Sequence, residues 1–300
     1  MKKISCLLLA MLMLFTIAGC GGGNTDGATT TGGTTAAAQT SANEPKALLG
    51  GVLRVAMECD YAPYNWTQET DKNGAVPIKD SSEYAYGYDV MMAKYLAGKL
   101  GYDVEIYKKD WDSLPPAVQS GAVDCVIAGQ SITAERQESV DFTIPYYFAS
   151  IVVLVMKDGK FADAKGLADL KGATATSQTS TVWYEVCLPQ IPEVVKKTSI
   201  ANVPPMIVAL RSGSVDLLVM DMPAAMGAVA AYPDDLKILD FSDTNDGFTV
   251  SEEEINIGIS VKKGNTALLN ELNAVLNELT VEDFEEMMEN AIKVQPLSEE

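Results

Sequence analysis

The sequence predicts an α/β protein made of two similar lobes, and two observations carry this prediction. First, short apolar runs alternate with amphipathic helical segments along the body of the chain, a pattern typical of a parallel sheet covered by helices. Second, one pattern occurs twice: a Pro-Pro helix start, a Ser-Gly stop, a Val-Asp pair and an apolar strand, with the aspartates at Asp124 and Asp216. The second copy is three residues longer between Pro-Pro and Ser-Gly. The pattern therefore indicates two similar halves of about 100 residues each rather than a strict duplication.

Local signals predict the individual elements. Apolar runs predict strands at 52–57, 104–107 and 123–128. Helical spacing and capping residues predict helices over 88–100, after a cap at Asp112, from Asn265 or Thr266, and after a cap at Thr280. Pro115 and Pro116 lie near the first turn of the second of these helices, where proline is best tolerated.

The first residues predict export and a lipid anchor. Two lysines precede an apolar run over 6–18, which has the length of a signal-peptide core and is too short to span a membrane. The run ends in Ile17-Ala-Gly-Cys20, which resembles the lipobox of bacterial lipoproteins, with Ile in place of the usual Leu. We therefore expect a signal peptide over 1–19, lipidation of Cys20 and a flexible linker over 20–47, which would hold the protein at the extracytoplasmic face of the cell membrane. The alternative is an ordinary secretory signal with an incidental cysteine.

Composition excludes several classes of function. The chain carries 41 acidic and 22 basic residues, a net charge of −19, so the phosphates of a nucleic acid would repel it. It contains no histidine, which excludes a His-containing zinc site and a Cys–His or Ser–His catalytic pair. The cysteines after the linker are Cys59, Cys125 and Cys187, and their odd number without a Cys-x-x-Cys motif indicates buried free thiols. We expect no metal and no cofactor.

Two strand ends carry the candidate site. Ligands bind beyond the carboxyl ends of strands in open parallel sheets. The first copy of the repeated pattern is followed by Gly129-Gln-Ser-Ile-Thr-Ala-Glu-Arg136, and the second ends at Asp221. Gly129 permits close backbone approach, Ser131 offers a hydroxyl, and the guanidinium of Arg136 presents a planar fork that matches a carboxylate. Taken alone, Arg136 is better interpreted as a solvated charge on a helix face, and Asp221 as a helix cap before Pro223, a role that is compatible with ligand binding.

Several further motifs lie along the body of the chain. They are Asp60-Tyr-Ala-Pro-Tyr64, Gly87-Tyr-Asp-Val90, the two Ser-Gly-x-Val-Asp units, Ser131-Ile-Thr-Ala-Glu-Arg136, Val140-Asp-Phe-Thr143 and Tyr146-Tyr147. With them the chain resembles the polar amino-acid-binding proteins of ABC importers, the family 3 extracellular solute-binding proteins. The resemblance implies a two-lobed, periplasmic-binding-protein-like fold of type II, with hinge crossovers near 148–152 and 254–257. It assigns 48–149 plus 256–300 to lobe 1 and 150–255 to lobe 2.

The resemblance also implies a ligand site. The positions that match it are Glu58, Tyr61, Trp111, Ala128, Gly129, Ser131, Arg136, Thr179, Ser180, Thr181 and Asp221. In such proteins the position of Arg136 clamps the ligand α-carboxylate, and the position of Asp221 meets the ammonium group. Tyr61 and Trp111 would sandwich the ligand side chain, and Glu58 would give a preference for a basic or amide side chain. The alternative for Glu58 is an inward, hydrogen-bonding residue at a strand end.

Three further residues near these motifs are interpreted differently. The family usually has Gly at the position of Gln178, next to the hydroxyl-rich turn of 179–181. Trp66 and Trp183 are interpreted as residues of the core or of a lobe surface, outside the site.

The function expected from these features is the capture of an amino acid by hinge closure and its delivery to the membrane permease of an ABC importer, by a monomer with no enzymatic activity. One alternative is an enzyme on the same fold, such as a cyclohexadienyl dehydratase-like protein, with Glu58 or Asp221 as its acid or base. The other is a ligand sensor that contacts a membrane receptor.

Overall fold

Lobe 1 is built on a mixed sheet whose second strand, Val52–Met57, is apolar and almost wholly buried. The computed structural model describes residues 47–296, so the predicted signal peptide, Cys20 and nearly all of the linker lie outside the described residues. The five strands lie in the spatial order Asp103–Lys108, Val52–Met57, Cys125–Val126, Ser260–Lys262 and Val140–Phe142. Val52–Met57 runs parallel to both neighbours, whereas Ser260–Lys262 is antiparallel to both of its own.

Lobe 2 repeats this architecture with a second five-stranded sheet. Its strands lie in the order Val195–Lys196, Thr174–Thr176, Leu217–Asp221, Ile151–Met156 and Leu236–Leu239. Ile151–Met156 is an uninterrupted apolar run, and five of its residues are buried. This strand is antiparallel to both neighbours, so the sheet is mixed like that of lobe 1.

Helices cover the two sheets, and their caps follow the sequence. Their bounds are Tyr88–Leu100, Leu114–Ser120, Ala134–Gln137, Val203–Arg211, Met222–Ala231, Glu252–Ile255, Thr266–Leu276 and Val281–Val294. The first of these ends at Gly101 in the left-handed conformation, as predicted. Asn265 and Thr280 cap the last two helices through their side chains, which confirms both predicted starts. Within residues 47–296, none of the helices combines the length and the apolar character needed to cross a membrane.

Short elements complete the fold. A small antiparallel sheet comprises Asp60–Tyr61, Asn65–Gln68, Tyr84–Tyr86 and Val76–Pro77. The 3₁₀ turns lie at Lys72–Gly74, Trp111–Ser113, Leu167–Leu170 and Leu188–Gln190, and a π turn lies at Trp183–Cys187.

Two predicted local features are wrong. Asp112 does not cap a helix: it lies inside the 3₁₀ turn Trp111–Ser113, and the following helix begins at Leu114 without a side-chain cap. The predicted strand over 123–128 is too long: the strand is Cys125–Val126, although the N–H groups of Asp124 and Ile127 on either side also donate to strand Val52–Met57.

The chain passes between the two sheets at two adjacent places. Tyr147–Phe148 leads from the first sheet toward Ile151–Met156, and Asn256–Ile257 leads back toward Ser260–Lys262. These two segments pair with each other in an antiparallel ladder. The fold is therefore two-lobed with paired crossovers, which are the natural hinge for a motion of one lobe against the other.

Candidate ligand-binding site

Gly129 lies where the chain leaves the central part of the lobe 1 sheet and faces lobe 2. Its φ is +58°, and a Cβ there would lie 2.6 Å from the ring of Tyr61. Both the backbone conformation and the close approach of the ring require glycine. The loop after Gly129 can thus pass directly beside an aromatic wall.

Arg136 is placed by the short helix Ala134–Gln137, which Thr133 caps by accepting from the Arg136 backbone N–H. Its guanidinium donates to the carbonyl oxygens of Ser131, at 2.9 Å, and of Ser180 in lobe 2, at 3.0 Å. It also lies over the ring of Trp111, 5.3 Å from the ring centroid. Burial lowers the pKa of Arg136 to about 10, so the group stays cationic at neutral pH. The side chain is a fixed positive charge at the boundary of the two lobes.

Asp221 supplies the opposite charge from lobe 2. It is the last residue of strand Leu217–Asp221 and the cap of helix Met222–Ala231, with Oδ1 accepting from the Ala224 N–H at 2.8 Å. Its other oxygen accepts from the hydroxyl of Tyr61 in lobe 1. Burial raises the pKa of Asp221 to about 6, and the hydrogen bonds from Tyr61 and Ala224 oppose that rise. The predicted cap is confirmed, and the same carboxylate faces the interlobe boundary.

Aromatic rings enclose a space that Arg136 lines, and Tyr61, which also lines it, donates its hydroxyl hydrogen bond to Asp221. Tyr61 stacks on Tyr64 with centroids 4.7 Å apart and lies 6.1 Å from Trp183 of lobe 2. We call this space the inner compartment; its lining residues are Tyr61, Trp111, Gly129, Ser131, Arg136, Gln178, Thr181, Val182 and Trp183. Its volume is about 10 Å³. Such a space fits about one water molecule, so an amino acid can enter only if the lobes part or these side chains move.

Glu58 follows the strand Val52–Met57 and is 3% exposed. Its Oε1 accepts from the amide of Gln178 in lobe 2 at 3.2 Å, whereas its buried Oε2 has no hydrogen-bond partner among the described residues. Burial, reinforced by the nearby carboxyl of Asp60, raises the pKa of Glu58 to about 8. A buried carboxyl with one open acceptor is a site for a hydrogen-bond donor.

Within residues 47–296, side-chain hydrogen bonds join the lobes at five points, and one of them, from the Gln295 amide to the Gly227 carbonyl at 3.5 Å, lies outside the inner compartment. Besides Tyr61 to Asp221, Arg136 to Ser180 and Gln178 to Glu58, the amide of Asn202 donates to Asp60 at 2.7 Å. Predicted site residues thus take part in three of these contacts, through Tyr61 and Asp221, Arg136 and Ser180, and Glu58.

A buried polar network supports the lobe 1 wall. The carboxylate of Asp89 accepts from the Asn65 amide and from the Tyr146 hydroxyl, both at 2.7 Å. The Tyr146 hydroxyl accepts in turn from the Gly129 N–H at 3.1 Å, and the Asn65 side chain from the Cys59 N–H at 2.7 Å. Burial raises the pKa of Asp89 to about 7, and these hydrogen bonds oppose the rise. Asp89 therefore ties the Gly129 turn to the strand end that carries Glu58.

The structure brings most of the predicted residues together, but not all. Ser131 and Thr181 line the inner compartment, and Ser180 contributes its carbonyl to Arg136 from a left-handed backbone, φ 57°. By contrast, Thr179 directs its hydroxyl to Ser199, at 2.9 Å, and Ala128 is buried. Glu58 and Asp221 do not line the compartment themselves, but they accept hydrogen bonds from two residues that do, Gln178 and Tyr61.

Sequence reasoning missed Gln178, Val182, Trp183 and Asn202. Trp183 is 6% exposed and belongs to the hydrophobic core, as interpreted, but it also lines the compartment. The signal that could have found it is its position two residues after the hydroxyl-rich turn.

The cysteines of the described chain, Cys59, Cys125 and Cys187, are free and buried, as predicted. Burial raises the pKa of the Cys59 and Cys187 thiols to about 12, so neither is a reactive thiolate. Among residues 47–296, no group of three or more Cys, Asp or Glu side chains is placed to hold a metal ion.

Known proteins share this architecture along most of the chain. The family model for bacterial extracellular solute-binding proteins, family 3, matches residues 53–291. A probable histidine-binding protein of Neisseria gonorrhoeae is 30% identical over 280 residues, covering 93% of this chain and 91% of that protein.

Solved structures extend the similarity to the fold. An amino acid ABC transporter substrate-binding protein from Streptococcus pneumoniae, bound to L-arginine, is 28% identical with a TM-score of 0.69, covering 81% of this chain and 95% of that one. The ancestral amino acid-binding protein AncCDT-1, described as a precursor of cyclohexadienyl dehydratase, is 29% identical with a TM-score of 0.63, covering 81% and 96%. The paired crossovers, the two mixed sheets and the family match agree: this chain belongs to family 3 of the bacterial extracellular solute-binding proteins.

Proposed function

We propose that this protein captures an amino acid between its lobes and delivers it to the membrane permease of an ABC importer. One observation carries the proposal: Arg136 of lobe 1 and Asp221 of lobe 2 present opposite charges at one interlobe boundary. A zwitterion that contacts both charges binds the closed conformation better than the open one, which is what a ligand needs in order to drive closure.

The contacts of the closed conformation indicate how the ligand binds. The carboxylate of the ligand replaces the Ser180 carbonyl as the acceptor for Arg136, because a guanidinium binds a carboxylate through two parallel hydrogen bonds. The ammonium group replaces the Tyr61 hydroxyl as the donor to Asp221. The ligand side chain then lies among the rings of Tyr61, Trp111 and Trp183.

Glu58 gives the site a preference for a basic or amide side chain. Its open, buried Oε2 is the oxygen that a ligand side chain can meet. A guanidinium, ammonium or imidazolium group would draw Glu58 into its carboxylate form, and an amide can accept a hydrogen bond from the protonated form. The names of the relatives, histidine-binding and arginine-bound, support this class of ligand. A monomer anchored through a lipid on Cys20 would present the ligand near the membrane, and this anchor is part of the proposal.

A second candidate function is catalysis of a dehydration. Glu58 is a buried carboxyl with its pKa raised to about 8, which suits a general acid, and AncCDT-1 is described as a precursor of a dehydratase. Binding is the better-supported function because the facing charges of Arg136 and Asp221 suit a zwitterion. An assay of prephenate and arogenate turnover separates the two: measurable conversion that is lost in Glu58→Gln would replace transport by catalysis.

Calorimetry with the twenty common amino acids tests the proposal. We expect one or a few ligands to bind, and Arg136→Ala to weaken binding by about 100-fold or more, because it leaves a carboxylate unpaired in a closed cleft. The matched control is Arg211→Ala, because Arg211 pairs with Asp235 on the exposed surface of lobe 2. Wild-type affinity in Arg136→Ala would remove the assignment of the carboxylate clamp.

A further inference from the structure

Gln178 is the lobe 2 residue that contacts Glu58. It follows the strand Thr174–Thr176, is 2% exposed, and lines the inner compartment. A backbone bridge to Ile200 and the hydrogen bond from the Thr179 N–H to the Ile200 carbonyl hold this segment in place. The side chain therefore starts from a fixed backbone and crosses the boundary between the lobes.

The hydrogen bonds of the Gln178 amide fix its orientation. Its Nε2 donates to Glu58 Oε1 at 3.2 Å and to the Ala201 carbonyl at 2.9 Å. Both partners are acceptors, so the NH₂ group must face them. Glu58 Oε1 is thereby occupied, while Oε2 stays buried without a partner among the described residues.

We propose that Gln178 is a positioning residue for ligand selection: it holds the Glu58 carboxyl from the facing lobe so that the open Oε2 is presented to a donor on the ligand side chain. This proposal rests on the proposed function and deepens it. Lobe 2 then senses the side chain of the ligand as well as its ammonium group. Closure becomes more favourable for amino acids that end in an N–H donor than for apolar ones of equal length.

Other charges around Glu58 do not depend on Gln178. The carboxyl groups of Asp60, Asp89 and Asp110 act on Glu58, and the ammonium groups of Lys108 and Lys109 line, together with Glu58, a second cleft distinct from the inner compartment. They remain in every variant of Gln178. A change in the titration of Glu58 on substitution of Gln178 therefore reports the lost amide contact.

The test uses Gln178→Met, which keeps the length of the side chain and removes both donors, with Gln178→Ala as a second variant. Calorimetry measures Kd for arginine, glutamine and methionine. Carbon-13 NMR of glutamate-labelled protein measures the pKa of Glu58. Asn202→Leu is the matched control, because it removes an interlobe hydrogen bond that does not involve Glu58.

We expect Gln178→Met to reduce the preference for the better donor ligand over methionine by about 10-fold, the effect of losing one charge-assisted hydrogen bond. The pKa of Glu58 should rise, because the amide favours the carboxylate form. Asn202→Leu should weaken all ligands by a similar factor and leave the preference unchanged.

An unchanged preference and an unchanged pKa of Glu58 in both Gln178 variants would reduce Gln178 to a space-filling residue. That outcome leaves the proposed function intact, because the wild-type protein still binds. Failure of the wild-type protein to bind any common amino acid contradicts the proposed function itself, and this proposal with it.

Discussion

Asp124 of lobe 1 and Asp216 of lobe 2 occupy equivalent places in the two copies of the repeated pattern and make the same backbone contacts, although Asp124 also forms a salt bridge with the Arg54 guanidinium at 2.6 Å. The carboxylate of Asp124 accepts from the Arg54 N–H at 2.9 Å, and its N–H donates to the Arg54 carbonyl at 2.9 Å. Asp216 does the same with Thr174, at 2.8 and 2.7 Å. In both lobes the helix before the aspartate starts with a proline pair. The hydrogen bonds that hold the start of the following strand are thus shared by the two lobes.

The two copies differ in the segment that comes after the aspartate. In lobe 1 the strand stops at Val126, and a loop carries Arg136 on a four-residue helix. In lobe 2 the strand continues to Asp221 and enters a ten-residue helix directly. Lobe 1 therefore presents a permanent cation on a loop, and lobe 2 a buried, titratable anion at a helix start. The same local structure is therefore followed by a positive charge in lobe 1 and by a negative charge in lobe 2.

The largest effect should come from removing the negative charge of Asp221 while keeping a capping residue at that position. Asp221→Asn keeps a capping residue for the helix but removes the charge, so we expect affinity to fall by about 100-fold or more with little loss of stability. Asp216→Asn is the counterpart: stability should fall, and affinity should change by less than about threefold. Calorimetry and thermal unfolding on both variants check this. Equal losses of affinity would mean that the two aspartates do not divide the roles in this way.

A smaller loss of affinity should follow from substitution of Gly129 in lobe 1. Gly129→Ala forces a Cβ to 2.6 Å from the Tyr61 ring at a φ of +58°, so we expect a loss of affinity of about 10-fold through displaced Tyr61. Gly213→Ala is the control in lobe 2, because Gly213 has a φ of +73° but open space around it. It should lose about 1 kcal/mol of stability and no affinity. Wild-type affinity in Gly129→Ala would show that the close approach of Gly129 to Tyr61 is not needed for binding.

The titration of the two charges should also differ. The pKa of Asp221 is about 6 and that of Arg136 about 10, so lowering the pH protonates Asp221 first and removes the partner of the ligand ammonium. We expect affinity for an amino acid with an apolar side chain to fall about tenfold between pH 7 and pH 5, and to be nearly constant from pH 7 to pH 9. Calorimetry across this range measures it. A flat profile down to pH 5 is incompatible with Asp221 as the ammonium partner.

The smallest expected effect is a pH-dependent change in the free energy of unfolding when Glu58 is substituted. Because burial raises the pKa of Glu58 to about 8, the native protein binds more protons than the unfolded chain, and stability falls as pH rises from the unfolded pKa of Glu toward 8. Glu58→Gln should therefore increase the free energy of unfolding by about 1–2 kcal/mol at pH 9 and by little at pH 5. The exposed Glu253→Gln is the control. A gain that does not depend on pH would rule out this linkage.

The sequence was sufficient for features set by local rules and by the repeat. The strand at 52–57, the helix over 88–100 with its stop at Gly101, and the capping role of Asp221 were all predictable, because apolar spacing and capping chemistry act within a few residues. Family resemblance added the two-lobed fold and the expectation that Arg136 and Asp221 contact the two ends of one ligand.

The remaining features depend on contacts between distant residues. Asp112 has the chemistry of a cap but lies in a 3₁₀ turn that places Trp111 under Arg136. Trp183 and Gln178 lie at the compartment because lobe 2 folds against lobe 1, and no periodicity along the chain encodes that.

The central claim is that Arg136 and Asp221 hold the two ends of one zwitterion. The most direct test is a calorimetric double-mutant cycle that pairs Asp221→Asn with the N-acetyl form of the best ligand, and Arg136→Ala with its α-amide form. We predict that each modified ligand binds the wild-type protein far more weakly than the parent amino acid does, and loses little more in the variant that lacks its partner. Full additivity of the two losses in either cycle would show that the charge on the protein and the charge on the ligand do not meet.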